Sequence, residues 1–164
     1  MTVVSNASPL IALARIGKLG LLASLYGRVL IPKEVHEEVT AQGRGLPGAE
    51  EVRRADWIEV RTGPYGPGVE PAGLVGLGAG ERSTILLARS LGAELVLIDE
   101  RKARRAAREL GLEVAGCIGI LEAGARRGLV DDLRVVYADL LRQGMRFETR
   151  LLQDSLRRFG RDLL

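Results

Sequence analysis

The sequence predicts an α/β fold with a mainly parallel sheet and helices on both of its faces. Short aliphatic runs alternate with segments whose apolar residues repeat at helical spacing. The alternation is clearest between residues 94 and 127, where two strand–helix pairs follow one another. Glycines end three of the helical segments, at Gly92, Gly111 and Gly128. This order is typical of parallel sheets, because each helix returns the chain to the start of the next strand.

Each element follows from a local pattern. The predicted strands are mostly aliphatic runs that cover residues 2–5, 28–31, 57–60, 94–98 and 112–115. The predicted helices cover residues 9–16, 19–25, 33–41, 49–55, 81–91, 101–110, 118–127, 131–143 and 148–159. Ser8 is predicted as the N-cap of the first helix and Pro9 as its first residue. Loops are predicted at 43–48 and, rich in glycine and proline, at 63–78.

Length and composition favour a single domain over residues 1–164. Within it we expect an α/β core over about 1–128 and a helical C-terminal extension over about 129–164. The extension has no strand partner, so it either packs on the flank of the sheet or serves oligomerisation.

The composition predicts a cytoplasmic protein. Cys117 is the only cysteine, which excludes an internal disulfide and fits a reducing compartment. No signal peptide is evident and no apolar run reaches the ~20 residues of a membrane helix, so we expect no membrane association. The net charge of +3 is too small to indicate nucleic-acid binding by itself.

Polar side chains occur close to the ends of the predicted strands. Asn6 follows the first strand, and Asp99 and Glu100 follow the fourth. Glu38 lies on the helix after the second strand, and Glu81 lies in the first turn of another helix. Ligands bind at the carboxyl edge of parallel sheets, and Mg²⁺ prefers oxygen ligands of this kind. The pattern therefore indicates a candidate cation site.

Each of these residues also has a purely structural explanation. Glu81 stabilises a helix N-terminus, Asp99 could cap the helix that follows it, and Asn6 could satisfy loop amides. Glu37 and Glu38 are adjacent, and a solvent-exposed position is common for either of them. The sequence does not settle which of the two points inward.

The ordered blocks that contain these residues resemble the PIN-like proteins, and within them the branch called DUF3368. The first block is Val-Val-Ser-Asn-Ala-Ser-Pro-Leu-Ile-Ala-Leu-Ala, and a later one contains Leu-Ile-Asp-Glu. The blocks lie at residues 3–14, 31–39, 78–88, 97–106 and 116–130. They are spread over nearly the whole chain.

The resemblance implies a three-layer α/β/α sandwich with acidic residues at one end of the sheet. Many PIN proteins are Mg²⁺- or Mn²⁺-dependent ribonucleases, and some are the toxins of bacterial toxin–antitoxin pairs. Carried onto this chain, the resemblance gives Asn6, Glu38, Glu81 and Asp99 as catalytic residues. Glu38, Glu81 and Asp99 would hold the metal, with Asn6 completing the shell. The broader family has Asp at the first position, so Asn6 removes one negative charge.

Further candidates lie beside this set. Arg101, Arg104 and Arg105 follow Asp99 closely in sequence and could contact an RNA backbone, or they could form a solvated helix face. Ser8 and Glu100 are additional candidates for the site.

The predicted partners are RNA, a small antitoxin protein and a second copy of the chain. The alternative function is a catalytically degenerate PIN-like module that binds RNA or a protein without cleavage. A phospho-acceptor domain that uses Asp99 is a weaker alternative, because the expected additional acids and lysine are not evident.

Overall fold

A computed structural model describes residues 1–42 and 48–159; most of the loop predicted at 43–48 and the last five residues of the predicted extension lie outside this part. Its strands are β1 (Val3–Ser5), β2 (Val29–Pro32), β3 (Ile58–Arg61), β4 (Leu95–Leu97) and β5 (Val114–Ala115). Its helices are α1 (Ala7–Arg15), α2 (Leu21–Tyr26), α3 (Lys33–Gln42), α4 (Ala49–Arg54), α5 (Ala79–Leu91), α6 (Arg101–Glu109), α7 (Cys117–Arg126), α8 (Leu133–Arg142) and α9 (Thr149–Arg158).

The five strands form one parallel sheet in the order β3-β2-β1-β4-β5. Val4 in the central strand lies opposite Leu30 on one side and Val96 on the other. The strand order changes direction between β1 and β4, and crevices at such a point are where open α/β sheets bind ligands. Residues that follow β1 and β4 are therefore the best placed to form a site.

Alternating side chains bury both faces of the sheet. Val3 packs on the face covered by α1, α2 and α7, whereas Val4 packs on the face covered by α5 and α6. Leu97 and Val96 alternate between the same two faces, and all four side chains are fully buried. The predicted α/β sandwich is confirmed.

The C-terminal helices α8 and α9 pack against α7 through a buried polar network. The Tyr137 hydroxyl and the Ser155 hydroxyl are 2.5 Å apart, and the Ser155 hydroxyl donates to Glu122 Oε2 at 3.0 Å. Arg158 Nη2 also donates to Glu122 Oε2, at 2.6 Å. Because each of these buried polar groups has a partner, hydrogen bonds offset the desolvation penalty and the network fixes the orientation of the two helices.

The start of the first helix differs from the prediction. The helix begins at Ala7, so Asn6 rather than Ser8 is its N-cap, and Ser8 lies inside the first turn. The reason is that the Asn6 N–H still donates to the Leu97 carbonyl at 2.9 Å, and the chain turns into the helix directly after this strand contact. The side chain of Asn6 consequently lies at the sheet edge.

The predicted loop at 63–78 contains a 3-10 turn, Ala72–Leu74, that buries Leu74 against the α5 and α6 side of the sheet. Within the described ranges, no helix is long and apolar enough to span a membrane.

Candidate metal centre

Asn6 has an unusual N-cap geometry. An N-cap asparagine normally accepts a hydrogen bond from an amide of the first helical turn, but the Asn6 side chain makes no such bond. Asn6 is 4% exposed, and its buried Oδ1 has no hydrogen-bond partner among the described residues. An unpaired buried carbonyl oxygen costs about 1–3 kcal/mol. The amide oxygen is therefore available for a ligand that the fold itself does not supply.

Glu38 lies beside Asn6 across a glycine. A Cβ atom added to Gly80 would be 2.8 Å from Glu38 Oε2 and 3.5 Å from Asn6 Oδ1. The two oxygens thus flank the same point on the first turn of α5. Glu37, by contrast, is exposed and pairs with Lys33 at 3.6 Å. Glu38 is the member of the adjacent pair that faces the site.

Glu81 uses its two carboxylate oxygens differently. Oε1 accepts the Gly78 N–H at 3.1 Å and closes a capping box at the start of α5. Oε2 is buried, and while Glu81 and Glu100 are both ionised it has no hydrogen-bond donor among the described residues. The structural explanation of Glu81 therefore accounts for one oxygen only, and the second remains available.

Three carboxylates interact at this edge. Burial, a hydrogen bond with Glu100 and the charges of Glu100 and Glu38 raise the pKa of Glu81 to about 7. Burial also raises the pKa of Glu38. Acids that repel one another at close range favour a shared proton or a bound cation. Glu100, an additional candidate from the sequence, is thus the acid that the fold places beside Glu81.

Asp99 has a different environment. Its Oδ1 accepts the Cys117 N–H at 2.6 Å, at the start of α7 rather than of the helix that follows Asp99 in sequence. Burial raises the pKa of Asp99, while the Cys117 amide and the charge of Arg104 oppose this shift. The Cys117 amide therefore fixes the orientation of this carboxylate.

The three arginines predicted to bind RNA separate into two groups, and the additional candidate Ser8 lies with one of them. Ser8, Arg101 and Arg104 line a groove of about 860 Å³, together with Asp99. Arg105 is not among the lining residues and pairs with Glu109 at 3.2 Å on the exposed side of α6. Of the three arginines, only Arg101 and Arg104 are positioned beside the acidic edge.

The donor set fits a hard divalent cation. Asn6, Glu38 and Glu81 offer oxygen atoms only, and two of these atoms are buried without a partner. Mg²⁺ in proteins is usually held by one or two carboxylates and several waters. No three histidine, cysteine or acidic side chains in the described part of the chain are grouped closely enough to hold a metal by themselves. The amide of Asn6 and water would therefore belong to the shell.

Adding a methyl group at Gly80 should weaken metal binding without harming the fold. In Gly80→Ala the new Cβ would displace the Glu38 carboxylate, which lies 2.8 Å from its position. We expect roughly 10-fold weaker Mn²⁺ binding, the size of effect seen when ligand positioning is disturbed. Because alanine favours the helical conformation more than glycine does, the free energy of unfolding should rise slightly, by up to about 1 kcal/mol.

Gly119→Ala is the matched control for that measurement. It adds the same methyl group within a helix, but its Cβ would meet only Ala115 Cβ, at an ordinary 3.6 Å. Calorimetric titration of both variants with Mn²⁺ separates the effects. Equal affinity in Gly80→Ala and the wild type would show that Glu38 does not contact the ion.

Sequence reasoning missed other residues of the groove. Arg108 of α6 and the α8–α9 connection, which contains Arg146 and Phe147, also line it. The spacing of Arg101, Arg104 and Arg108 along one helix face was a signal that could have identified Arg108. No sequence signal places Arg146 opposite α6, because only the packing of α9 on α7 brings it there.

The chain matches a known protein family. A family model for the DUF3368 PIN domain matches residues 2–161. No curated protein matches the chain. The PIN domain is a nuclease-type fold, is associated with RNA binding, and its members generally use divalent metals. Because the match extends over nearly the full length, the chain belongs to the DUF3368 family of PIN domains.

Proposed function

We propose that this PIN domain is a Mg²⁺- or Mn²⁺-dependent RNA endonuclease. Glu38, Glu81 and Asp99 would hold the cation directly or through water, and Asn6 would complete the shell. The observation that carries the proposal is the pair of buried, unpartnered oxygens, Asn6 Oδ1 and Glu81 Oε2, at one edge of the sheet. Folded proteins rarely leave such atoms unsatisfied unless a ligand uses them.

The chain's own residues prepare this edge for phosphodiester hydrolysis. A bound divalent cation would lower the pKa of water and neutralise charge that develops on the phosphate. Glu81 and Glu100 can share a proton in the absence of the cation. The Cys117 amide holds Asp99 in one orientation. Arg104, on the same side as Asp99, offers a positive charge to a phosphate group.

The proposal is tested by incubating a labelled single-stranded RNA with the purified chain and Mg²⁺, Mn²⁺ or EDTA. We expect internal cleavage with either metal and none with EDTA. Asp99→Asn should reduce the cleavage rate while the amide oxygen still accepts the Cys117 N–H, so the fold is kept. Undiminished cleavage in Asp99→Asn would exclude Asp99 from the site.

Metal binding should strengthen as the pH rises through about 7. Glu81 binds a cation as a carboxylate, and its pKa is raised from 4.5 to about 7. Below that value each pH unit should weaken binding roughly tenfold, because a proton must be displaced. Mn²⁺ titrations between pH 5.5 and 8.5 measure this dependence. Affinity that stays constant from pH 5.5 to 8.5 would contradict the assignment of Glu81.

The same shift predicts how the metal-free fold responds to pH. Because the folded state raises the pKa of Glu81, the protonated Glu81 carboxyl stabilises the fold. This contribution to stability is complete below pH 4.5 and is lost as the pH rises to about 7. The difference in unfolding temperature between the wild type and Glu81→Gln should therefore change across this interval. A difference that is independent of pH would contradict the raised pKa.

A degenerate binding module is the second candidate function. It is favoured by the neutral amide at Asn6 and by the spacing of the acids, since no three acidic side chains in the described residues are close enough to hold a metal. The module would bind RNA in EDTA as well as in Mn²⁺. No detectable binding of Mg²⁺ or Mn²⁺ at millimolar concentration, together with unimpaired RNA binding, would favour it over the endonuclease.

We also propose that the chain is the toxin of a toxin–antitoxin pair and forms a homodimer. The antitoxin would cover the acidic edge that contains Glu38 and Glu81. A small reading frame beside the gene, whose product co-purifies with the chain and blocks Mn²⁺ binding, would support the pairing. Sedimentation of the purified chain tests the dimer.

A further inference from the structure

The groove beside Asp99 has two walls that come from distant parts of the chain. One wall is α6, and the other is formed by α9 and the connection that precedes it. Arg101 on the first wall and Glu148 on the second are 3.5 Å apart, and both side chains are largely exposed. Exposed ion pairs contribute little to the stability of the fold, so a ligand that binds Arg101 more strongly than Glu148 does could replace this contact.

Arg104 lies in this groove without a hydrogen-bond partner. Its Nε atom is buried and unpaired. A Cβ added to Gly116 would be 3.4 Å from Arg104 Nη1 and 2.8 Å from Asp99 Oδ1, so the guanidinium and the carboxylate flank the same glycine. Burial and the charges of Arg108 and Arg101 lower the pKa of Arg104, while the charge of Asp99 opposes this shift. Arg104 thus lies between the Asp99 carboxylate and two other arginines, where a bound anion would reduce the repulsion among the three positive charges.

Two further arginines of the groove have no carboxylate partner among the described residues. Among the described residues, neither Arg108 nor Arg146 has a carboxylate within ion-pair distance, although both line the groove. Arg158, in contrast, is paired with Glu122 at 2.6 Å. Arg104, Arg108 and Arg146 are therefore the cations of the groove that are available to an external ligand.

The second wall also offers apolar surface. Met145 and Phe147 line the groove next to Arg146, and Ile118 lies on the α7 side; all three are half-buried, with one side packed against the core. The lining also contains five carboxylates, and three of these, Glu122, Glu148 and Asp154, pair with arginines. Proteins that bind single-stranded nucleic acids combine cations, which pair with phosphates, with aromatic side chains on which bases stack. The volume of about 860 Å³ is that of a pocket for a small ligand. It fits a few unpaired nucleotides rather than the body of a duplex.

We propose that Arg104, Arg108 and Arg146 form a phosphate-binding track for a single-stranded RNA segment next to the acidic edge, with a base stacked on Phe147. The inference rests on the proposed function in taking RNA as the ligand. It assigns the α8–α9 connection to the substrate site, so the C-terminal helices contribute to recognition as well as to stability.

Binding without cleavage tests this track. Fluorescence anisotropy in EDTA measures the affinity of the full chain for a labelled 12-nucleotide single-stranded RNA, for the same sequence as a duplex, and for an acidic peptide. Arg108→Ala and Arg146→Ala should each weaken single-strand binding about 5- to 10-fold and reduce the salt dependence by about one counterion. Phe147→Leu should weaken it about 5-fold and leave the salt dependence unchanged.

Arg105→Ala is the matched control, since it removes the same charge from the same helix outside the groove. It should change the affinity less than 2-fold. Equal losses in Arg105→Ala and Arg108→Ala, duplex binding as tight as single-strand binding, or a preference for the acidic peptide would each overturn the track. If the variants lose RNA binding as expected but the chain does not cleave RNA in the presence of metal, the result would count against the proposed endonuclease and not against the track.

Discussion

Replacing Glu81 with glutamine should reduce metal-dependent RNA cleavage at least about 100-fold, while the chain stays folded. Glutamine keeps the capping box, because its amide oxygen can accept the Gly78 N–H as Glu81 Oε1 does. The substitution removes the negative charge. When the capping oxygen stays in place, the NH₂ group takes the position of Oε2, and an NH₂ group cannot bind a cation. Loss of one preorganised electrostatic contact in an active site typically costs 10²–10³ in rate.

The measurement compares initial cleavage rates at saturating Mn²⁺ and the unfolding temperatures of both proteins. Glu81→Gln should unfold at the same temperature as the wild type or slightly above it at pH 8, because the repulsion from Glu38 and Glu100 is relieved. A rate within a factor of three of the wild type would remove Glu81 from the catalytic set. A large loss of stability would instead show that the reduced cleavage rate results from disruption of the capping box.

Replacing Tyr137 with alanine should lower the free energy of unfolding by about 3–5 kcal/mol. Tyr137 is fully buried and is the largest of the completely buried side chains. Its loss leaves a cavity between α8 and the rest of the core, and it deprives Ser155 of one partner in the network that reaches Glu122. Urea unfolding followed by circular dichroism measures the change.

Tyr137→Phe is the control, because it keeps the ring and removes only the hydroxyl. We expect a loss of about 1–2 kcal/mol from the lost Tyr137–Ser155 hydrogen bond, while Ser155 still donates to Glu122. If both variants lose the same amount, the hydroxyl network rather than ring packing dominates. If neither loses stability, the C-terminal helices do not unfold together with the sheet, and the account of their packing is wrong.

The sequence was sufficient for the fold because its elements carry strong local signals. The aliphatic run of β4 is bounded by charged residues, and the helices on either side end at glycines, so strand and helix positions were evident. The start of α1 was missed because Ser8 and Pro9 are the expected residues at a helix start. The hydrogen bond from Asn6 to Leu97 decides that start instead, and it is a tertiary contact.

The candidate site was less predictable because it depends on orientation. Strand ends placed Asn6 and Asp99 at one edge, but nothing in the sequence distinguished Glu38 from Glu37. The choice follows from the packing of α3, which turns Glu38 toward Gly80 and leaves Glu37 in solvent. The pairing of Glu81 with Glu100 also depends on how the chain leaves β4.

The central claim is that the oxygens of Asn6, Glu38 and Glu81 form a divalent-cation site. Calorimetric titration with Mn²⁺ at pH 6.5, in two buffers of different ionisation enthalpy, tests it most directly. We expect one bound ion per chain, release of a proton because the pKa of Glu81 is about 7, and loss of binding in Glu38→Gln. Absence of binding at millimolar Mn²⁺, or binding that Glu38→Gln leaves unchanged, would contradict it.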